Sequence, residues 1–266
     1  MKAFIEIEDR KIEVDFAGGQ DISIPLLFNG SQPNTYNVER AASQPYNDDQ
    51  FIGDTRKGGP CNFETYTLTP HCNGTHTECV GHITKERISI LNSLKEELML
   101  STLITVSPER LKENYNPPLN SEDLVITRRN LQEKINASSS NYLDALIVRT
   151  LPNSIQKKER DYMQNPSAFF TIECMKYIVD LGVRHLLVDM PSVDRLFDDG
   201  LLSSHNIFWE TKEKIINSCA ESKTITEMIY VPDTIQDGKY LLNLQIAPFF
   251  TDAAPSRPIL YKIHEL

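Results

Sequence analysis

The sequence has no long hydrophobic run and no excess of positive charge, and its number of cysteines is odd. No stretch approaches the roughly 20 apolar residues of a membrane-spanning helix, so we expect a soluble protein without a membrane partner. The formal net charge of −10 argues against a nucleic-acid partner, which requires a basic face. We expect a cytoplasmic location without disulfides. The number of cysteines is five, and the start M-K-A-F-I-E-I-E does not have the positively charged segment followed by an apolar run that is typical of a signal peptide.

The length and the apolar pattern predict one domain over residues 1–266. The chain is 40% hydrophobic and long enough for a full core. Short apolar strands, of which 143–150 is the clearest central one, alternate with helical patterns. The fold class expected is therefore α/β, with a central mixed β-sheet and flanking helices.

Local signals predict the individual elements. Two alternating runs within 4–16 predict an edge hairpin with its turn at Asp9-Arg10, and 29–62 reads as a long loop that could cover a site. Helices are expected after Ser107-Pro108, from the Thr127 cap through Ile135, over 167–181 and over 209–218. The tract 136–141 reads as a surface linker.

Residues 70–83, P-H-C-N-G-T-H-T-E-C-V-G-H-I, hold three of the six histidines with a glutamate and two thiols. Imidazole, carboxylate and thiolate are ligands of divalent transition metals. The spacing and the glycines predict an extended segment, in which His76 and Glu78 share one strand face and can bind one ion. A structural zinc knot of Cys72, Cys79 and two histidines is the alternative.

The same run resembles the pattern H-x-G-T-H-x-D-x-P-x-H of the cyclase-like metal-dependent hydrolases of the bacterial kynurenine formamidase and isatin hydrolase type. Later segments extend the resemblance to the C-terminus: 182–194 (G-V-R-H-L-L-V-D-M-P-S-V-D), 225–229 (I-T-E-M-I) and 248–258 (P-F-F-T-D-A-A-P-S-R-P). The resemblance implies the swivelling β/β/α-like fold of that family and a homodimer or homotetramer.

The resemblance also implies roles for individual residues. The metal ligands would be His71, His76 and Glu78, with His205 and Glu227 as ligands of a second ion. His82 would be the catalytic acid and base, and a histidine pKa of about 6.5 suits that role. Glu210 is a weaker ligand candidate. Asp189 and Asp194 are expected to be solvated loop carboxylates, with the alternative that they orient ligands.

Two departures from the family pattern affect the ligand set. Glu78 replaces an aspartate, which zinc tolerates because glutamate also binds it. His71 precedes His76 by five residues rather than four, which on a regular strand would place Cys72 on the ligand face instead. A β-bulge at Asn73-Gly74 would return His71 to the metal, and we expect this arrangement in preference to a Cys72 ligand.

The function that follows is a metal-dependent amidohydrolase. One or two divalent ions, zinc or else manganese, would activate water against a small linear or cyclic amide, such as the arylformamide N-formylkynurenine. The alternative is a metal-binding protein of the same fold without catalysis. A binding module without metal is a further rival.

Overall fold

A mixed β-sheet runs through the molecule. The computed structural model describes residues 1–7, 10–48, 50–111, 115–135 and 142–266. Its strands are β1 (Lys2–Ile7), β2 (Arg10–Asp15), β3 (Gln20–Asp21), β4 (Ala42–Pro45), β5 (Glu64–Thr67), β6 (His76–Cys79), β7 (Leu98–Val106), β8 (Val125–Ile126), β9 (Ala145–Thr150), β10 (Phe169–Phe170), β11 (His185–Val188), β12 (Thr224–Glu227), β13 (Gly238–Asn243), β14 (Ala253–Pro255) and β15 (Ile259–Glu265).

The α-helices are short and lie between the strands. They are α1 (Pro70–Asn73), α2 (Ile90–Ser93), α3 (Arg128–Gln132), α4 (Ile172–Asp180) and α5 (Ser203–Phe208). None of the helices in the described ranges is long and apolar enough to span a bilayer.

Strand order places parallel strands in the middle and antiparallel ones outside. The order is β1-β2-β15-β13-β7-β9-β11-β12-β6-β14, with β3 beside β15. The strands β7, β9, β11 and β12 are parallel, whereas β6 pairs antiparallel with β12 and β14. All six residues of β9 are buried, as parallel strands covered on both faces require. This architecture confirms the α/β class with a mixed sheet and flanking helices.

The larger core lies between the sheet and the helices. Helix α4 contributes Cys174, Met175 and Ile178 to it, and α5 contributes Phe208. Trp209, the single tryptophan, is fully buried there, and its ring N–H donates to the carbonyl of Lys223. A second core on the opposite face joins β7 and β13 to residues 229–235. The two cores pack against both faces of the middle strands, so side chains at the ends of those strands have fixed positions.

Several predicted elements are confirmed. Strands β1 and β2 form the antiparallel pair at the sheet edge, although the turn residue Asp9 lies outside the described residues. Thr127 caps α3 with a reciprocal capping box to Asn130, and that helix ends at Gln132. The linker predicted at 136–141 also lies outside the described residues.

Three helix predictions are wrong or too long. After Ser107 the chain does not enter a helix within the described residues, because Glu109 pairs with Val125 through two backbone hydrogen bonds. The helix predicted from residue 167 begins only at Ile172, since the preceding phenylalanines form β10. The segment 209–218 is a turn in which Lys212 bridges to Ile215, and the backbone there has positive φ at Glu213 and Lys214.

The predicted loop over 29–62 contains regular structure. It includes β4, which pairs with β5, and a 3₁₀ turn at Thr55–Lys57. Within it Tyr36 donates a hydrogen bond from its hydroxyl to the carbonyl of Leu196, on the loop that follows β11. The segment therefore reaches the end of the sheet where the polar residues described next converge.

Candidate metal centre

Strand β6 presents His76 and Glu78 on one face, as alternation along a strand requires. Both side chains are fully buried. The antiparallel register with β12 places Glu227 opposite His76, and Nε2 of His76 lies 3.5 Å from Oε2 of Glu227. Pairing with the neighbouring strand therefore adds a second carboxylate to the first imidazole.

His71 reaches the same centre from α1, the single helical turn before β6. Pro70 occupies the first position of this turn, where its missing N–H costs nothing, and Gly74 then continues in an extended conformation. Nδ1 of His71 lies 3.1 Å from Oε2 of Glu78. The predicted β-bulge at Asn73-Gly74 is wrong, since the extra residue is absorbed by the helical turn.

Cys72 does not join the imidazoles and carboxylates. Its thiol is absent from the groups of donor atoms that converge within 4.8 Å of one another in the described part of the chain. Burial, followed by the charge of Glu227, raises the pKa of this thiol to about 11. Cys79 points elsewhere, with its sulfur 3.4 Å from the carbonyl of Ile88, so the alternative of a cysteine zinc knot has no support in the geometry.

His205 is delivered by α5 and oriented by Asp194. The carboxylate of Asp194 accepts from the backbone N–H groups of Ser204 and His205 and lies 2.7 Å from Nδ1 of His205. The other ring nitrogen, Nε2, lies 3.1 Å from Oε1 of Glu78. Asp194 is buried, so the expectation of a solvated carboxylate is wrong. It follows β11 and turns back into the site.

Asp189 also departs from the expectation of a solvated carboxylate. It is 2% exposed and pairs with Lys157, whose Nζ lies 2.7 Å from Oδ2 of Asp189. Thr150 donates two further hydrogen bonds to the same carboxylate, through its backbone N–H and its hydroxyl. This group ties the ends of β9 and β11 together beside the site. Glu210 lies at the surface and pairs with Lys223.

Glu227 ends β12 and faces both Glu78 and the imidazoles. The backbone N–H of Val193 donates to its Oε1 at 3.0 Å, and Nε2 of His205 lies 3.9 Å from the same atom. Burial raises the pKa of Glu227, and the nearby charge of Glu78 raises it further. Two carboxylates this close in a buried place need positive charge between or beside them.

His82 occupies the half-buried mouth of the cluster. It ends a 3₁₀ turn over Val80–His82, and its Nε2 lies 3.9 Å from Oε2 of Glu78. Its ring is 4.3 Å from that of His71 and 5.7 Å from that of His205, measured between centroids. An imidazole in this position can exchange protons with a molecule at the mouth.

Asp252, which sequence reasoning did not single out, completes the mouth. Its Oδ2 lies 2.9 Å from Nε2 of His71 and 3.4 Å from Nδ1 of His82. The sequence signal for it is its place in the run 248–258, which resembles the family pattern. Four of the six histidines, 71, 76, 82 and 205, thus meet at one centre with four carboxylates, 78, 194, 227 and 252.

The buried donors fit a divalent cation. Within the described residues, Nε2 of His76 and Oε2 of Glu78 are buried without a hydrogen bond, although charged neighbours lie close by. Three imidazoles have their remaining nitrogen held by an acceptor: Asp252 for His71, the Gly74 carbonyl for His76 and Asp194 for His205. Metal-binding histidines usually have their second nitrogen fixed in this way.

The protonation of the cluster also fits a site for a cation. Burial lowers the pKa of His71, but the hydrogen bond to Asp252 and the nearby negative charge of Glu78 outweigh this and raise it to about 10. Burial likewise opposes the charge of Glu78, yet His82, His205 and His71 keep its pKa well below the usual value. Protons on His71 and His205 therefore balance the carboxylates, and a cation can replace them.

The fold and this cluster define an α/β protein with a candidate divalent-metal site at the strand ends. The model of a family described as "Putative cyclase" matches residues 20–195. The chain belongs to this cyclase family, which confirms the resemblance in the sequence. A kynurenine formamidase from Bacillus cytotoxicus (strain DSM 22905) is 26% identical over 246 residues, covering 90% of this chain and 95% of that protein.

Solved structures show the same fold at lower identity. Isatin hydrolase A from Labrenzia aggregata, bound to benzyl benzoate, has a TM-score of 0.62 and 12% identity, covering 91% of this chain and 93% of that chain. A "predicted metal-dependent hydrolase" from Bacillus stearothermophilus has a TM-score of 0.58 and 16% identity, covering 91% and 97%. The common fold therefore extends over nearly the whole length of each chain.

Proposed function

We propose that this chain is a metal-dependent hydrolase of amide C–N bonds, acting on an arylformamide such as N-formylkynurenine. The observation that carries the proposal is the pair of buried atoms without hydrogen bonds, Nε2 of His76 and Oε2 of Glu78, which face a ring of oriented imidazoles. Buried polar atoms are normally satisfied, and a metal ion would satisfy both of these.

His71, His76 and Glu78 are the ligands proposed for the first ion. Their donor atoms lie within 4.8 Å of one another. His205 and Glu227 extend the set, and Glu78 faces both halves, so one ion or two could share this carboxylate. Nitrogen and oxygen donors in this mixture suit zinc, with manganese as the alternative.

When bound, such a cation would supply Lewis-acid chemistry and lower the pKa of a water molecule toward about 7. His82 is the proposed acid and base of the reaction. Its Nε2 faces the cluster, while its position at the half-buried mouth leaves it accessible to a substrate. It would take a proton from the water that adds to the amide carbon and give it to the nitrogen as the C–N bond breaks, so that the products are a neutral amine and a carboxylic acid.

A cavity beside His82 offers room for the substrate. It has a volume of about 350 Å³ and is lined by His82, Thr84, Leu201, Leu202, Asn206 and Lys214, among others. Apolar and polar groups together suit a small amide with an aromatic portion. Kinship with a protein described as kynurenine formamidase favours an arylformamide over other amides.

The test combines metal analysis with an assay of amide hydrolysis. Purified protein is stripped with a chelator and reloaded with zinc or manganese, the bound metal is counted by elemental analysis, and formate release from N-formylkynurenine is followed. Formanilide and isatin serve as a simpler linear amide and a cyclic one. Turnover that depends on reloading supports the proposal. Bound metal with no hydrolysis of any of these amides would favour a metal-binding protein without catalysis.

A further inference from the structure

Strand pairing holds the backbone of Asp252 in place. The loop that carries it leads into β14, where Ala253 lies opposite Glu78 of β6. The backbone N–H of Cys79 donates to the carbonyl of Asp252 at 3.0 Å, and the N–H of Ile90 donates to the carbonyl of Thr251 at 2.8 Å. The carboxylate is therefore presented to the centre from a fixed backbone.

One oxygen of this carboxylate contacts two imidazoles. Oδ2 of Asp252 lies 2.9 Å from Nε2 of His71 and 3.4 Å from Nδ1 of His82. The other two acceptors that hold a ring nitrogen contact one imidazole each: Asp194 contacts His205, and the Gly74 carbonyl contacts His76. Asp252 is thus the acceptor shared by a proposed metal ligand and the proposed acid and base.

We propose that Asp252 is a positioning residue that fixes the tautomers of His71 and His82 together. This inference rests on the function proposed above, because it concerns the same two imidazoles. A carboxylate oxygen can only accept, so a neutral ring beside it turns its N–H toward the oxygen and keeps its lone pair on the opposite nitrogen.

The consequences for the two rings differ but favour the same reaction. In His71 the lone pair falls on Nδ1, the nitrogen that lies 3.1 Å from Oε2 of Glu78 on the ligand side. In His82 it falls on Nε2, which lies 3.9 Å from the same oxygen and faces the cluster. A single carboxylate therefore prepares one imidazole to bind a cation and the other to accept a proton.

The experiment compares Asp252→Ala and Asp252→Asn with the wild type, all loaded with zinc. Nitrogen-15 NMR of labelled histidines reports which ring nitrogen carries the proton. Competition with a chelator gives the zinc affinity, and kinetics at saturating zinc separate kcat from KM. The matched control is Asp194→Asn, in which the altered carboxylate contacts His205 but not His82.

We expect Asp252→Ala to lose the fixed tautomer of His82, weaken zinc binding by about 10–100-fold and lower kcat by a similar factor, with KM little changed. Asp252→Asn keeps an acceptor oxygen of the same shape, so it should recover part of each loss. It also preserves the test should the alanine variant fail to fold. The control should weaken zinc binding and leave the His82 tautomer unchanged.

An unaltered His82 tautomer together with a wild-type kcat in Asp252→Ala would overturn the inference. The NMR and zinc readouts do not require turnover, so the two proposals fail separately. Tautomers that depend on Asp252 in a protein that hydrolyses no amide would refute the proposed function alone. Zinc-dependent hydrolysis with tautomers indifferent to Asp252 would refute the positioning role alone.

Discussion

His205 and Glu78 are 127 residues apart in the chain, yet Nε2 of His205 lies 3.1 Å from Oε1 of Glu78. The other nitrogen of His205, Nδ1, is held by Asp194, so the imidazole is oriented with Nε2 toward the carboxylate of Glu78. The relationship joins α5 to β6 across the ends of the parallel strands.

Replacement of Asp194 by alanine should weaken metal binding through His205. We expect an affinity loss of about 10–100-fold, because the imidazole would lose both its orientation and the acceptor for its N–H. Competition with a chromophoric chelator measures the change. Asp199→Asn, an exposed carboxylate on the same loop, is the control. An affinity in Asp194→Ala equal to that of this control would contradict the prediction.

His76 and His82 should separate metal binding from turnover. His76→Ala removes a buried donor, so we expect bound metal and hydrolysis to disappear together. His82→Ala should keep the metal while turnover falls by about 10²–10⁴-fold, because only proton transfer is lost. Elemental analysis and formate release measure the two quantities. Equal loss of metal from both variants would show that His82 is a ligand.

His71 and Cys72 are adjacent, but only His71 faces Glu78. We expect His71→Ala to reduce the bound metal sharply and Cys72→Ser to leave its stoichiometry unchanged, since the thiol is not among the donor atoms that converge in the described part of the chain. Zinc content after dialysis against a weak chelator distinguishes the two. A loss of metal in Cys72→Ser alone would assign the ligand to the thiol instead.

Removal of the metal should lower thermal stability. The buried carboxylates of Glu78 and Glu227 repel one another, as the raised pKa of Glu227 reflects after the effect of burial. A ligand present at about 100 times its dissociation constant stabilises the folded state by about 3 kcal/mol. We expect the melting temperature to fall on chelation and to recover with zinc. Magnesium, which prefers oxygen ligands, is the control cation.

His185 should make the protein less stable in mild acid. Burial, followed by the charge of Arg184, lowers the pKa of this imidazole to about 4 in the folded state. Above pH 6.5 the ring is neutral in both states and contributes nothing to pH dependence. As the pH falls from about 6.5 to about 4, the unfolded chain takes up the proton first, so folding loses up to about 3 kcal/mol.

Urea unfolding of wild type and His185→Asn at several pH values tests this prediction. Asparagine can still hydrogen-bond to Thr224, whose hydroxyl oxygen lies 2.8 Å from Nδ1 of His185. The variant should lose less stability between pH 7 and pH 5 than the wild type. Parallel stability curves for the two proteins would show that other groups cause the acid sensitivity.

Local chemistry explains which elements could be predicted. The β9 strand and the Thr127 cap follow from an apolar run and a side-chain oxygen, signals that lie within a few residues. The helix predicted at 209–218 is wrong because the segment forms a turn, with positive φ at Glu213 and Lys214, while its first residue, Trp209, is buried in the core. At 70–73 the chain forms a helical turn rather than an extended segment. Pro70 favours the start of a helix, and the strand begins only at His76.

The sequence by itself determined the α/β class, the placing of His76 and Glu78 on one strand face, and the membership of the cyclase family. These depend on periodicity and on a short motif, which are local properties of the chain. Tertiary structure alone decided that Asp194 turns inward and that Asp252 touches two imidazoles. Each of these depends on contacts between segments far apart in the chain, and local sequence carries no record of the distances between them.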